Sequence, residues 1–204
     1  MALSNHLRMV LGEVISKTQS AFILGRLISD NAIVGFECMH ALRTRKKGKK
    51  WALAIKLDMW KDYNRVEWAF LNGFIVLIRK VVKKGDVVGF KCSRGGPSIT
   101  HLFFADDSMF VLRANSRDCL AIMRVLDCYM NASGQMVNYK KSSMCVSKRV
   151  CRRKAESLAG LIDVQLVEWH EHYLGLQSFV GRNKRQNFAN LKESCLGWSQ
   201  GVAV

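Results

Sequence analysis

Between Trp51 and Trp60 the chain reads WALAIKLDMW, in which Leu53, Ile55 and Leu57 alternate with Ala52, Ala54, Lys56 and Asp58. A period of two is that of a strand, and this one has a face of large apolar residues and a face of small residues ending in a carboxylate. Downstream the spacing changes. Trp68, Leu71, Ile75, Ile78 and Val82 recur every three or four residues, which predicts a helix packed on that strand, weakened at Gly73 and broken by KKGD (83–86) before a short VVGF strand. In THLFFADDSMFVL (100–112), residues 102–104 and 109–112 read as two short buried strands around a turn of Ala105, Asp106, Asp107 and Ser108. Ser116 can then cap a helix with Cys119, Ile122, Met123, Leu126 and Tyr129 on one face, which Gly134 ends. Upstream, an amphipathic stretch (28–42) is separated from the first strand by the basic loop RTRKKGKK (43–50). The order strand, helix, hairpin, helix predicts an α+β fold in which helices cover one face of a sheet and acids stand at strand ends on the other.

Two adjacent aspartates between apolar strands resist desolvation unless water or a cation meets them. A solvated acidic turn satisfies this. So does half of a divalent-metal site, because magnesium takes carboxylate oxygens and two-metal chemistry needs several carboxylates together. Asp58, at the end of its strand, is the candidate third acid.

Composition narrows the partners. The 204 residues are 49% hydrophobic, enough for a sizeable core, and carry 32 Lys plus Arg against 16 Asp plus Glu, a formal charge of +16. Such an excess favours a polyanion, most commonly nucleic acid. The longest uninterrupted apolar run, 73–78, is far short of the ~20 residues of a membrane span. The opening MALSNHLRMVLGEVISK has no signal-peptide core, so an intracellular, non-secreted protein is expected. Seven cysteines without a Cys-x-x-Cys pair predict reduced, mostly buried thiols. Cys145, Cys151, His170 and His172 could be assembled into a zinc set, but their spacing matches no common finger.

Five segments, in order, carry a resemblance: QSAFILGRLISDN (19–31), KLDMWKDYNRVEW (56–68), HLFFADDS (101–108), SGQMVNYKKS (133–142) and YLGL (173–176). Together they resemble the fingers motif, first catalytic motif, acid hairpin, lysine-bearing motif and primer grip of the reverse transcriptases of plant non-LTR (LINE-type) retrotransposons, over nearly the entire chain. The resemblance implies a reverse-transcriptase-like palm, an antiparallel sheet with helices on one face, in residues 51–150. A partial fingers segment (1–50) would precede it, and a primer-grip region with a partial thumb (151–204) would follow. It also implies two Mg2+ ions on Asp58, Asp106 and Asp107, Lys141 as proton donor to the leaving pyrophosphate, and Tyr63 as the aromatic gate under the sugar. Arg26 would contact phosphate or template, and Tyr173 would lie near the primer. The implied partners are an RNA template, a DNA primer and deoxynucleoside triphosphates, with no membrane, and the nucleus is the expected compartment. By composition alone, Tyr63 reads as a core aromatic, and Arg26 and Lys141 as surface charges.

The chain also departs from that family. Asp62 and Asn64 flank Tyr63 where the family has alanine and aspartate, adding negative charge where a triphosphate approaches. No RQGDPLSP-like motif lies between the first catalytic motif and the acid hairpin, which implies an internal deletion near 72–95 and a nucleotide pocket without one wall. By the resemblance, the chain would begin inside the family's fingers and end before a complete thumb. Three readings follow: an RNA-directed DNA polymerase domain, defective as it stands; a catalytically dead remnant binding nucleic acid through residues 43–50 and 140–154; and a pseudogene product with no selected role.

Overall fold

The computed structural model describes residues 28–44, 51–60, 68–93, 95–104, 107–170, 172–173 and 176–177. The alternating stretch forms β1 (Ala52–Asp58), and helix α1 (Ile28–Thr44) precedes it. After it come α2 (Trp68–Lys83), the hairpin β2 (His101–Phe104) and β3 (Asp107–Arg113), and α3 (Ser116–Ser133). The chain continues with β4 (Ser143–Val146), α4 (Arg152–Ile162) and β5 (Gln165–Leu166), and a small hairpin of β6 (His172–Tyr173) and β7 (Leu176–Gln177). The main sheet runs β2-β3-β1-β4-β5. The fold is α+β, as the periodicities predict.

Period two in β1 gives it two buried faces. Leu53, Ile55 and Leu57 join Phe103, Phe110, Leu112 and Met144 in one core, closed by Phe74, Ile75 and Ile78 of α2, Cys119, Ile122 and Leu126 of α3, and Leu158 and Ile162 of α4. Phe74 stacks on both Phe103 and Tyr129, with ring centroids 5.3 and 4.4 Å apart. Ala52 and Ala54 turn the other way, where with Met109, Val111 and Cys145 they meet Cys38, Met39 and Leu42 of α1.

Two expectations are corrected. Helices cover both faces of the sheet, because the small side chains of Ala52 and Ala54 let α1 approach the backbone closely. The sheet is also mixed: β1 pairs antiparallel with β3 and β4, but β5 joins β4 in parallel, since α4 lies between them and carries the chain back to the starting end of β4. VVGF forms no strand, and only Phe90 bridges, to Ile99. Residues 28–44 and 152–166, which the sequence allots to fingers and primer grip, pack on the same sheet as the palm segment. Among the described residues no helix is long and apolar enough to cross a membrane.

Candidate metal and nucleotidyl-transfer site

Asp58 ends β1, and the antiparallel register sets it directly opposite Asp107, the first residue of β3. Opposed residues of such a ladder lie about 4.5–5.5 Å apart and belong to one face of the sheet. Two of the three acid positions are therefore neighbours across a single rung. The Asp58 side chain is half-buried. Asp107 enters through its backbone position alone, and Asp106 lies outside the described residues. Among the described side chains, which include neither hairpin carboxylate, no three His, Cys, Asp or Glu residues converge.

The end of β1 is fixed from the other side by the lysine-bearing segment. The Asp58 amide donates to Ser142 Oγ at 3.1 Å, the Asp58 carbonyl accepts from the Asn138 amide at 2.8 Å, and Ser142 Oγ donates to the Asn138 carbonyl at 2.8 Å. Met59 bridges to Val137, and the Trp60 amide donates to the Met136 carbonyl at 2.9 Å. Asn138 and Ser142 are buried. Lys141, between them in the turn and exposed, donates its amide to Asn138 O and Oδ1. Strand register and this turn thus bring Asp58, Asp107 and Lys141 to one end of the sheet. The sequence reading missed Asn138 and Ser142; their signal is a short polar residue on each side of YKK, the kind that bonds backbone in tight turns.

The remaining site residues are distributed differently. Arg26 and Tyr63 lie outside the described residues. Tyr173 is fully buried in the second core, and its ring occupies the space that a side chain at position 35 would need. It packs the small hairpin against α1. Among the described side chains, which do not include that of His172, the zinc set does not assemble. His170 is buried, with Nδ1 3.2 Å from Ser143 Oγ and Nε2 3.3 Å from the Ala54 carbonyl, while Cys151 is exposed ahead of α4. Burial, helped by nearby Lys56, pushes the His170 imidazole down to about 4, leaving it neutral at pH 7.

A cavity of about 270 Å³ opens at the other end of the sheet, lined by Trp51, Phe90, Lys91, Ser98 and Arg113 among others. Its walls include the loop that connects α2 to β2. Asp58 is six residues along β1 from Ala52, or about 20 Å at strand rise. Trp51 is 42% exposed, and Lys154 Nζ lies 4.6 Å from its ring centroid. No protein-family model matches the chain, and no curated protein matches it.

Proposed function

We propose that the chain is the palm portion of a LINE-type reverse transcriptase, with its metal-holding end retained and its polymerase activity defective. The register that sets Asp58 opposite Asp107 carries this reading. A hard divalent cation fits the donor set, which is all carboxylate oxygen, with Asp58 and Asp107 at opposed backbone positions. Magnesium held by Asp58, Asp106 and Asp107 would activate the primer hydroxyl and offset the charge that builds on the triphosphate. Lys141, on an exposed turn tied to the Asp58 backbone, would pass a proton to the leaving pyrophosphate. Arg26 and Tyr63 would position template and sugar.

The defect follows from where the α2 to β2 connection goes. It replaces the family's nucleotide-bracing segment, yet it packs beside Trp51 and Arg113, about 20 Å from the acids by strand rise. Transfer depends on pre-positioned reactants, and misplacement by about 1 Å can cost ~100-fold.

Two measurements test the reading. Manganese titration followed by water proton relaxation should show binding by the wild-type chain that is lost in an Asp58→Asn, Asp107→Asn variant; equal binding by both would remove the metal site. Primer extension on an RNA template with magnesium or manganese should give no more product than an Asp106→Ala, Asp107→Ala variant. Extension that vanishes in the double variant would overturn the defect. A second reading, a dead remnant that binds nucleic acid, is favoured by the formal charge of +16 and by the exposed bases Lys148, Arg149, Arg152 and Arg153.

A further inference from the structure

Cys38 and Cys92 are 54 positions apart in sequence, yet their sulfurs lie 3.4 Å from each other. Cys38 is on α1 with its side chain fully buried, whereas Cys92 is half-exposed in the connection between α2 and β2, between exposed Lys91 and Ser93. All six described cysteines are free thiols. Cys119 and Cys145 are buried in the two separate cores, and Cys128 and Cys151 lie at the surface. We propose that Cys38 and Cys92 are a dithiol modification site, which a disulfide oxidant such as glutathione disulfide closes to a Cys38–Cys92 disulfide.

The geometry asks for little movement. A disulfide bond is about 2.03–2.05 Å long, so the sulfurs must approach by about 1.4 Å. The segment holding Cys92 is an irregular loop rather than a ladder strand, and it can supply that shift. The chemistry also has an order. Burial and the adjacent Cys92 sulfur push the Cys38 thiol well above its ordinary range, so Cys38 stays protonated at neutral pH and is shielded from solvent. Cys92 is the sulfur an oxidant can reach. Its thiolate attacks one sulfur of glutathione disulfide, the oxidant's S–S bond breaks, and one glutathione leaves as the thiol after taking a proton. Cys38 then attacks the Cys92 sulfur of the mixed disulfide and expels the second glutathione, its proton passing to the departing glutathione thiolate. Two protein thiols are oxidised and one disulfide is reduced to two thiols. The product would join α1 to the loop that walls the Trp51 cavity.

The test places the full-length chain in glutathione buffers of increasing oxidised fraction, alkylates the remaining thiols and maps the peptides by mass. A Cys38–Cys92 cross-link lighter by two hydrogens should form at a glutathione disulfide concentration about tenfold below that which half-modifies Cys128 and Cys151, since the second step is intramolecular. It should not be favoured over other pairs in denaturant. Cys38→Ala should leave Cys92 trapped as the glutathione mixed disulfide. Cys92→Ser, at a half-exposed position that leaves the core intact, should leave Cys38 as a thiol. Accumulation of glutathionylated Cys92 in the wild-type chain, closure of either cysteine with a different one, or equal cross-linking in denaturant would each overturn the proposal.

Discussion

Gly35 carries no side chain because the Tyr173 ring stands where one would go: a Cβ there would lie 2.6 Å from Cε1 and 2.7 Å from Cδ1 of that ring. The ring is fully buried, so Gly35→Ala should destabilise the chain by about 1–3 kcal/mol through overpacking. Urea unfolding measures this, and Tyr173→Leu added to Gly35→Ala should recover part of the loss. Equal losses in the single and double variants would separate the two residues. The buried histidines make a second, independent prediction. His101 bonds Thr100 Oγ1 through Nδ1 at 2.8 Å, and burial, with Arg79 adding to it, pushes the imidazole down to about 4, the same level as His170. In the unfolded chain both return to an ordinary value of 6.5. Between those values the unfolded state binds more protons, so stability is fully present above about pH 6.5 and falls as the pH drops toward about 4. At about 1.4 kcal/mol per unit, the two groups together can remove several kcal/mol. A melting-temperature profile should slope across that window and flatten in a His101→Gln, His170→Gln variant; a profile level from pH 7 to pH 4 would contradict the assignment.

Helix α3 is held at its start by one buried carboxylate serving three elements. Asn115 Oδ1 accepts from the Asp118 amide at 2.9 Å as the N-cap, while the Asp118 side chain accepts from Arg113 Nη2 at 2.8 Å, Arg113 Nε at 3.2 Å and the Val88 amide at 3.1 Å. Asp118 is fully buried and Arg113 is only 35% exposed, so Asp118→Ala should cost about 3 kcal/mol by leaving a guanidinium and an amide unpaired. Chemical denaturation checks the magnitude, and a loss below about 1 kcal/mol would mean that water replaces the carboxylate. The cap also shows how far local pattern reaches. The face of α3 and its Gly134 stop, where φ is 71° and the amide bonds Met130 O, are legible because they depend on spacing and one backbone conformation. The cap is one residue earlier than Ser116, a shift that no propensity distinguishes. β1 was legible from alternation and the hairpin from two apolar runs around a turn, whereas the meeting of Asp58 with the acid hairpin was expected only through the resemblance. β4 and α4 were hidden because the basic residues of 140–154 draw the eye to charge, although Ala155, Leu158, Ala159 and Ile162 hold the helical spacing that buries them. The cover on the second face was not legible, since a row of alanines reads equally as a weak solvent face and as a seat for α1.

Among the described residues, the Asp58–Asp107 rung and the exposed bases Lys148 and Arg149 stand at opposite ends of the sheet. Asp58 and Asp107 share one end, whereas the Ala52 end is met by the turn after β4. The Ser147 amide bonds the Ala52 carbonyl at 2.9 Å, and Ser147 Oγ accepts from the Ala52 amide at 3.3 Å, which sets exposed Lys148 and Arg149 beside exposed Trp51. The two ends are about 20 Å apart by strand rise, more than twice the screening length of about 8 Å at physiological salt. Negative charge at the acids therefore does not cancel the field at the basic end, where the nucleic-acid-binding reading would place a polyanion whether or not a metal is bound. Affinity for single-stranded RNA or DNA should fall linearly with salt on logarithmic axes and depend little on sequence, because phosphate contacts dominate. Charge reversal at Lys148, Arg149 and Arg153 should lower affinity for every sequence and reduce the slope by about 2, at ~0.7 for each phosphate no longer neutralised. Reversal at Lys46, Lys47, Lys49 and Lys50 should act in the same direction. Trp51→Ala should weaken single strands more than duplex by removing a stacking surface, worth about 1–3 kcal/mol per base. Fluorescence anisotropy over a salt series reads all of these, with Asp58→Asn as the internal contrast, since that change should leave binding at physiological salt unaltered. Binding that ignores salt would end the polyanion reading, and binding that collapses in Asp58→Asn would move the nucleic acid to the acid end of the sheet.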